Sequence, residues 1–289
     1  MQTSILAYQK RRYLWAALAL TFVTVTAYWV HDPQEPPNGG TLLGYILGTI
    51  GALMIVCLTW FGVRKRRYNS TAGTLQGWLS AHVYFGIALF VVVLLHAGFQ
   101  VGWNIHTLAF ALMTLVIASG LYGVFVYMKY PERMSDNRDG ASRSELLDQL
   151  EDIDRRSRRV AENMPSEYRD FANSGIQRTE LGSTLWQRLR NEDRSRIQLP
   201  HDSATVPNPG QEAAMDWLAE QQSRAAADSA ATIAELSALL RNKRKLLRQV
   251  GVDLKLQAGI ELWLYAHVPL TAALLVALIG HIVIVFLYW

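Results

Sequence analysis

Four histidines in two apolar stretches are the side chains of this chain whose type and spacing could support chemistry. Relative to His82, His96 stands at position i+14, and His281 stands at the same offset from His267. On an α-helix, a separation of about 14 residues gives a rise of roughly 21 Å and a rotation of roughly 1400°, so both histidines of a pair lie on one face. Ionisable side chains inside apolar helices are rare and costly, which favours a functional role for all four.

The two pairs match each other in depth when their helices run in the same direction. His82 is then level with His267, and His96 is level with His281. Two imidazoles that face each other can supply both axial bonds to a flat iron macrocycle, and the second N–H of each ring then needs an acceptor. The spacing therefore predicts two iron sites, which we call the first tier (His82 and His267) and the second tier (His96 and His281). The alternative is that each histidine only forms a hydrogen bond with a neighbouring helix.

Two glycines repeat the same spacing. Gly62 stands at i+14 from Gly48, so each is expected to let the edge of a macrocycle approach the backbone at one tier. Ordinary packing of small residues between helices is the alternative. Candidate partners for the acidic groups of a macrocycle are the basic residues 64–67 and Lys129 near the first tier, and His31, Trp103, Asn104 and His106 near the second. Fixing the topology or facing solvent is the simpler role of these residues.

Five stretches that are long and apolar enough to cross a membrane must position these residues. They are 13–30, 41–63, 78–99, 105–128 and 262–289, and none contains Asp, Glu, Lys or Arg. The histidine pairs are centred on Leu89 in the third span and on Leu274 in the fifth. These two spans run in the same direction because a single span separates them.

The basic residues indicate how the spans are oriented. With five alternating spans, all 28 Lys and Arg residues fall on one side of the membrane. Because positive loops stay in the cytoplasm, we expect the N-terminus and residues 129–260 to be cytoplasmic and Trp289 to be periplasmic, in a bacterial-type cytoplasmic membrane. The first span is interpreted as a retained helix rather than a cleaved signal peptide, because no small-residue cleavage site follows it.

The composition excludes several classes of protein. The chain has 289 residues, of which 51% are hydrophobic, and residues 129–260 hold 21 of the 28 Lys and Arg and 21 of the 24 Asp and Glu. Such segregation excludes a single water-soluble globule. One cysteine excludes a disulfide framework, a cysteine zinc site and a protein-ligated iron–sulfur cluster. The charges of 129–260 are balanced, so no nucleic-acid-binding surface is indicated.

The sequence thus divides into a membrane part (1–128), a cytoplasmic helical insertion (129–260) and a last membrane helix (261–289). In the insertion, a helix begins near Ser144, residues 164–210 are expected to be irregular because of four prolines, and a long amphipathic helix begins near Gln211. Gly251 and Gly259 are candidate breaks in that helix. We predict a helical hairpin or short coiled coil, which serves as a solvated spacer or as a docking surface for a cytoplasmic partner.

The four histidines resemble the ligand pattern of the di-haem cytochrome b superfamily of respiratory and quinone-linked membrane proteins. The resemblance rests on four residues and their spacing and covers about half the chain. It implies an all-α integral membrane fold in which spans two to five form a four-helix core and span one is an addition. It also implies two non-covalent b-type haems, one bound by His82 and His267 and the other by His96 and His281.

The same resemblance implies electron transfer across the membrane, as a subunit of a quinone-linked oxidoreductase complex rather than as a free-standing enzyme. Membrane lipid, a quinone at one face and a multihaem or iron–sulfur subunit are the implied partners. The insertion is not part of the family core and has no Gly-x-Gly-x-x-Gly motif, which argues against the similar ferric reductases and NADPH oxidases. Two other classes stay open: a non-redox membrane scaffold or sensor, and a proton or metal-ion carrier.

Overall fold

The structure, a computed structural model, describes residues 5–31, 38–66, 73–100, 102–200 and 202–287. The chain divides into two compact units. The membrane unit comprises Met1–Phe125 and Trp263–Trp289, and the insertion unit comprises Val126–Leu262. These boundaries lie close to those expected from the composition at residues 128 and 260.

The described residues are mostly helical. The α-helices are α1 (Arg12–Val30), α2 (Leu42–Arg66), α3 (Leu75–His96), α4 (Ile105–Asn137), α5 (Arg143–Glu162), α6 (Ser166–Gln177), α7 (Leu185–Arg190), α8 (Glu212–Arg224) and α9 (Ala227–Leu287). Two short strands, β1 (Arg196–Gln198) and β2 (Thr205–Pro207), pair antiparallel, and 3-10 segments lie at Ile5–Arg11 and Pro209–Gln211. Five of these helices, α1 to α4 and α9, are long and apolar enough to cross a membrane, as the sequence predicts.

Two of the membrane helices are longer than expected. Helix α4 continues past the predicted span to Asn137, and α9 runs for 61 residues without the breaks predicted at Gly251 and Gly259. Both glycines instead provide room for neighbours, because a Cβ would lie 2.6 Å from Asn191 Oδ1 at Gly251 and 2.8 Å from the Tyr130 ring at Gly259. Close packing therefore outweighs the helix cost of glycine, which is about 1 kcal/mol.

The membrane unit has a buried centre between its helices. Helix α3 packs against α1 and α2, and its first turn is capped by Thr74, which accepts the Gly77 N–H at 3.1 Å. Leu89 of α3 and Leu274 of α9 are both 3% exposed and belong to one cluster, which α2 and α4 complete. The midpoints of the two histidine pairs therefore face the same interior.

The insertion unit differs from the predicted hairpin or coiled coil, because it packs its helices around two buried clusters. The expectation that 164–210 is irregular was wrong, since α6, α7 and both strands lie there. Helix α6 buries Tyr168, Phe171, Ala172 and Gly175, which have the spacing of one helical face. None of the four prolines lies inside α6 or α7: Pro165 precedes α6, Pro200 follows β1, Pro207 ends β2 and Pro209 begins a 3-10 segment, so they did not prevent helix formation.

Two buried ionic groups stabilise the insertion unit. Asp253 of α9 has no exposed side-chain surface and binds both Arg138, after the end of α4, and Arg143, at the start of α5. Lys243, which is 1% exposed, pairs with Asp154 of α5 at 2.8 Å. Buried charges of this kind are tolerated only when they are paired.

Candidate functional site: two tiers of histidines

The four histidines lie half-buried inside the membrane unit, two on α3 and two on α9. In the first tier, His82 and His267 line one pocket, whose walls come from α2, α3, α4 and α9. The pocket has a volume of about 630 Å³, which includes its open mouth. Apart from the two imidazoles, its walls are almost entirely apolar.

The backbone of α2 fixes the protonation of His82. Nδ1 of His82 lies 3.1 Å from the carbonyl oxygen of Leu58. A carbonyl oxygen can only accept, so Nδ1–H of His82 is the donor. In the neutral ring, Nε2 then carries a lone pair, which is the form that binds metals.

A hydroxyl group of α4, that of Ser119, forms the corresponding hydrogen bond with Nδ1 of His267. Ser119 Oγ donates its only hydrogen to the Val116 carbonyl at 2.8 Å. The same oxygen lies 2.8 Å from Nδ1 of His267, and with its hydrogen on the Val116 carbonyl it accepts the Nδ1–H there. Nε2 of His267 is again left with its lone pair.

In the second tier the two rings lie close together. Nδ1–H of His96 donates to the carbonyl of Gly44 at 2.7 Å. Nδ1 of His281 lies 2.5 Å from Nδ1 of His106, so one of these two nitrogens donates to the other. The ring centroids of His96 and His281 are 6.0 Å apart, and the ring planes cross at 82°.

All four rings therefore use Nδ1 for a hydrogen bond, and none uses Nε2 for one with any residue that the structure describes. The partners of the α3 histidines are the α2 carbonyls of Gly44 and Leu58, which repeat the i, i+14 spacing of the histidines themselves. The partners of the α9 histidines are the α4 side chains of His106 and Ser119, at i and i+13. Each histidine helix thus has one neighbouring helix that holds both of its rings.

This donor set fits a bis-histidine metal site. Two imidazole nitrogens that are each about 2 Å from one metal ion place their ring centroids about 6 Å apart. The 6.0 Å between the centroids of His96 and His281 equals that separation, which is also an ordinary distance for an edge-to-face pair of rings. Among the described residues, no group of three or more His, Cys, Asp or Glu side chains is arranged to hold one metal ion. A site with two protein ligands needs no such group.

Gly48 lies against an imidazole of the second tier. A Cβ at Gly48 would lie 2.7 Å from Cε1 of His96, so this glycine makes room for the His96 ring. Gly62 is exposed, does not line the pocket, and has no described atom within 4 Å of an added Cβ. The positions of α2 that contact the histidines at a spacing of 14 residues are therefore the carbonyls of Gly44 and Leu58. Gly44 lies one helical turn before Gly48, and Leu58 lies one turn before Gly62.

Other small residues border the first tier. Gly86, one turn after His82, lines the pocket and has no described atom within 4 Å of an added Cβ. Gly120 also lines the pocket, and its added Cβ would lie 3.5 Å from Cε1 of His267. Because they carry no side chains, these two glycines leave space beside the imidazoles.

Sequence reasoning missed the support that surrounds Ser119. The indole N–H of Trp263 donates to the Ser119 carbonyl at 2.8 Å, and the Trp263 ring lies 5.5 Å from that of His267. The indole packs over Gly123, where an added Cβ would overlap it. The pair Ser119-Gly120 in an otherwise apolar span was the available signal.

Two of the candidate partners for acidic groups of a macrocycle near the first tier, Arg64 and Lys129, have other contacts. Arg64 donates to the Gly73 carbonyl at 2.7 Å, and Lys129 pairs with Glu132 at 3.5 Å. Arg67 lies outside the described residues. These contacts favour a role in topology and loop structure.

Near the second tier, Trp103 is fully exposed, and Asn104 caps α4 by accepting the Thr107 N–H at 3.0 Å. His31, which follows α1, has a buried Nε2 without a hydrogen-bond partner in the described residues. His106 contacts the second tier directly through His281. Trp289, predicted to mark the periplasmic end, lies outside the described residues.

Comparison with protein families, curated proteins and solved structures finds no match to this chain.

Proposed function

We propose that this protein is a membrane-embedded di-haem b-type cytochrome that transfers electrons across the membrane. One observation carries the proposal: all four histidines engage Nδ1 with a neighbouring helix and leave Nε2 free, in two tiers. When bound, haem supplies one-electron redox chemistry, and the protein supplies binding, orientation and electrostatics.

The residues of the chain have distinct tasks in this proposal. His82 and His267 hold the first haem, and His96 and His281 hold the second. The acceptors on α2 and α4 keep each ring in the neutral tautomer and fix its orientation. Two tiers that are roughly 21 Å apart along a helix extend over most of a hydrocarbon core of about 30 Å. Electrons that pass between them therefore cross most of the membrane.

Orientation and partners follow from the charges. We infer that the first tier lies near the cytoplasmic face and the second near the periplasmic face, because all Lys and Arg residues fall on one side of the five spans. In this proposal the four histidines serve only electron transfer, so the electron donor and acceptor must be supplied by other components. The chain would then be a subunit of a quinone-linked oxidoreductase complex. The insertion unit is the docking surface for a cytoplasmic component, and a multihaem or iron–sulfur subunit exchanges electrons at one face.

A visible spectrum of the purified full-length protein tests the proposal. We expect a b-type α band after reduction and two haems per chain by the pyridine haemochrome assay. His96→Ala should lower the ratio to one haem, whereas His201→Ala, a histidine of the insertion, should leave two. A folded protein that binds no haem, or a His96→Ala variant that keeps both haems, would contradict the proposal.

The compact fold of the insertion supports a second candidate, a non-redox membrane scaffold or sensor. The insertion unit has its own buried core, which includes Phe171 and Leu236 at 2% and 0% exposure, so it can present a stable surface to a partner. In that case the histidines are polar contacts between helices. Purified protein without visible absorption, and with unchanged helix content after replacement of all four histidines, would favour this function.

A further inference from the structure

The four tier histidines do not have equivalent hydrogen-bond partners. His82, His96 and His267 donate to oxygen atoms, two of them backbone carbonyls and one a serine hydroxyl. His281 is instead bonded to a second imidazole, that of His106, at 2.5 Å between the Nδ1 atoms. The two rings are perpendicular, at 89°, with centroids 4.6 Å apart.

The local packing brings these two rings together. His106 lies in the first turn of α4, which begins at Ile105 and is capped by Asn104. The neighbour of His281 on α9 is Gly280, where an added Cβ would lie 3.7 Å from Cδ1 of Ile105. That distance is an ordinary van der Waals contact, so the first turn of α4 packs against α9 at the level of His281 and brings His106 beside it.

Metal binding decides the direction of this hydrogen bond. If Nε2 of His281 binds iron, the proton of the neutral ring is on Nδ1 and is donated to Nδ1 of His106. The remaining proton of a neutral His106 is then on its Nε2, and the His106 side chain is exposed. With the protons placed in this way, the Nδ1–H of His281 has an acceptor and the Nε2–H of His106 can reach solvent.

The geometry points to His106 as a positioning residue for the second-tier haem, an inference that rests on the proposed function. An imidazole nitrogen accepts a hydrogen bond more strongly than a carbonyl oxygen, so His281 gains more negative character than the other three ligands. A more basic axial ligand stabilises the ferric state and lowers the midpoint potential. His106 thus orients the His281 ring and makes the second-tier haem harder to reduce.

A matched pair of variants tests this role in the full-length protein. Asn and Leu have nearly the same shape, but only Asn can accept the Nδ1–H of His281. In His106→Leu we expect the second-tier potential to rise and its low-spin ferric EPR signal to shift. In His106→Asn the second-tier potential and EPR signal should lie closer to those of the native protein than they do in His106→Leu. The first-tier haem is the internal control, and its potential should not change in either variant.

Each result bears on His106 separately from the haem proposal, because haem stoichiometry is measured in the same samples. Two haems with unchanged potential and EPR signal in His106→Leu would overturn the inference while leaving the proposed function intact. Equal shifts or equal haem loss in the Leu and Asn variants would also overturn it, since the acceptor would not be the cause. Retention of two haems in His281→Ala together with loss of one in His106→Leu would show that His106 is itself the ligand. Haem loss confined to His106→Leu supports the inference.

Discussion

A histidine that binds a metal through one ring nitrogen carries a proton on the other, and that N–H needs a hydrogen-bond acceptor. The groups next to the tiers that can accept this hydrogen bond are therefore the important ones. Two of the acceptors, the carbonyls of Gly44 and Leu58, have no side-chain signature, so the sequence could not reveal them. Ser119 has one, but a hydroxyl in an apolar span more often bonds only to its own helix. The matched positions of the four histidines were therefore visible in the sequence, their role as metal ligands stays a prediction, and most of the groups that bond to their rings could not be predicted.

Gly48 and Gly62 make a matched test of the second tier. In Gly48→Ala the new methyl group would lie 2.7 Å from Cε1 of His96, so the ring must move and its bond to Gly44 must lengthen. We expect partial or complete loss of one haem, measured by the haem-to-protein ratio. Gly62→Ala has open space around it and should keep both haems. Equal behaviour of the two variants would contradict this account of α2.

Ser119→Ala tests the first tier. The substitution leaves the Nδ1–H of His267 without its acceptor, and loss of such an outer partner typically weakens metal binding about 10- to 100-fold. We expect faster transfer of the first-tier haem to apomyoglobin, followed by absorption. Thr114→Val is the control, since this hydroxyl bonds only to the Phe110 carbonyl of its own helix. A haem that leaves both variants at the native rate would disprove the role of Ser119.

At the scale of the helices, the length of the apolar stretches was enough to predict the five membrane helices, but the sequence did not predict where the helices end. The five apolar stretches were predicted correctly, because about 20 apolar residues have few other structures open to them in a membrane. Glycine and proline were weaker guides. Gly251 and Gly259 lie inside α9 where neighbours need the space, and Pro165 stands just before α6 rather than in it. Those outcomes depend on packing partners that are distant in sequence.

The Asp253 cluster predicts where the insertion unit is most sensitive. Asp253→Ala would leave Arg138 and Arg143 without their shared carboxylate. These arginines are 18% and 33% exposed and water can reach them, so the cost should lie below the value of about 3–5 kcal/mol for a fully buried pair. We expect much faster amide hydrogen exchange in α5. Glu151→Ala, which removes an exposed partner of Arg155, should cost less than about 1 kcal/mol. Similar exchange in the two variants would show that the cluster adds no stability.

At the scale of the whole molecule, the segregation of charge is the basis for the proposed topology. The described residues divide into an apolar unit that carries the histidines and a charged unit whose core is independent of them. Composition predicts a division of this kind, because a membrane separates apolar from charged sequence more strictly than water does. It could not predict the packing inside the charged unit, where no such constraint acts.

Trypsin digestion of oriented membrane vesicles tests the topology. Trypsin cleaves after Lys and Arg, and all 28 of these residues lie on the side that we assign to the cytoplasm. Inside-out vesicles should be cut at exposed positions such as Arg155, whose side chain is 61% exposed. Right-side-out vesicles should leave the chain intact by immunoblot. Cleavage in sealed right-side-out vesicles would reverse the orientation or change the number of spans.

The backbone acceptors of α2 have a consequence for the evolution of this protein. A main-chain oxygen exists whatever amino acid supplies it, so positions 44 and 58 can vary wherever space allows, which at position 58 means apolar side chains that fit the pocket wall. Deleting or inserting a single residue between them would instead rotate one oxygen by about 100° away from its imidazole. Homologues should therefore keep the number of residues between these two positions while the amino acids at them change. Relatives of this protein are better recognised by that conserved spacing than by sequence identity.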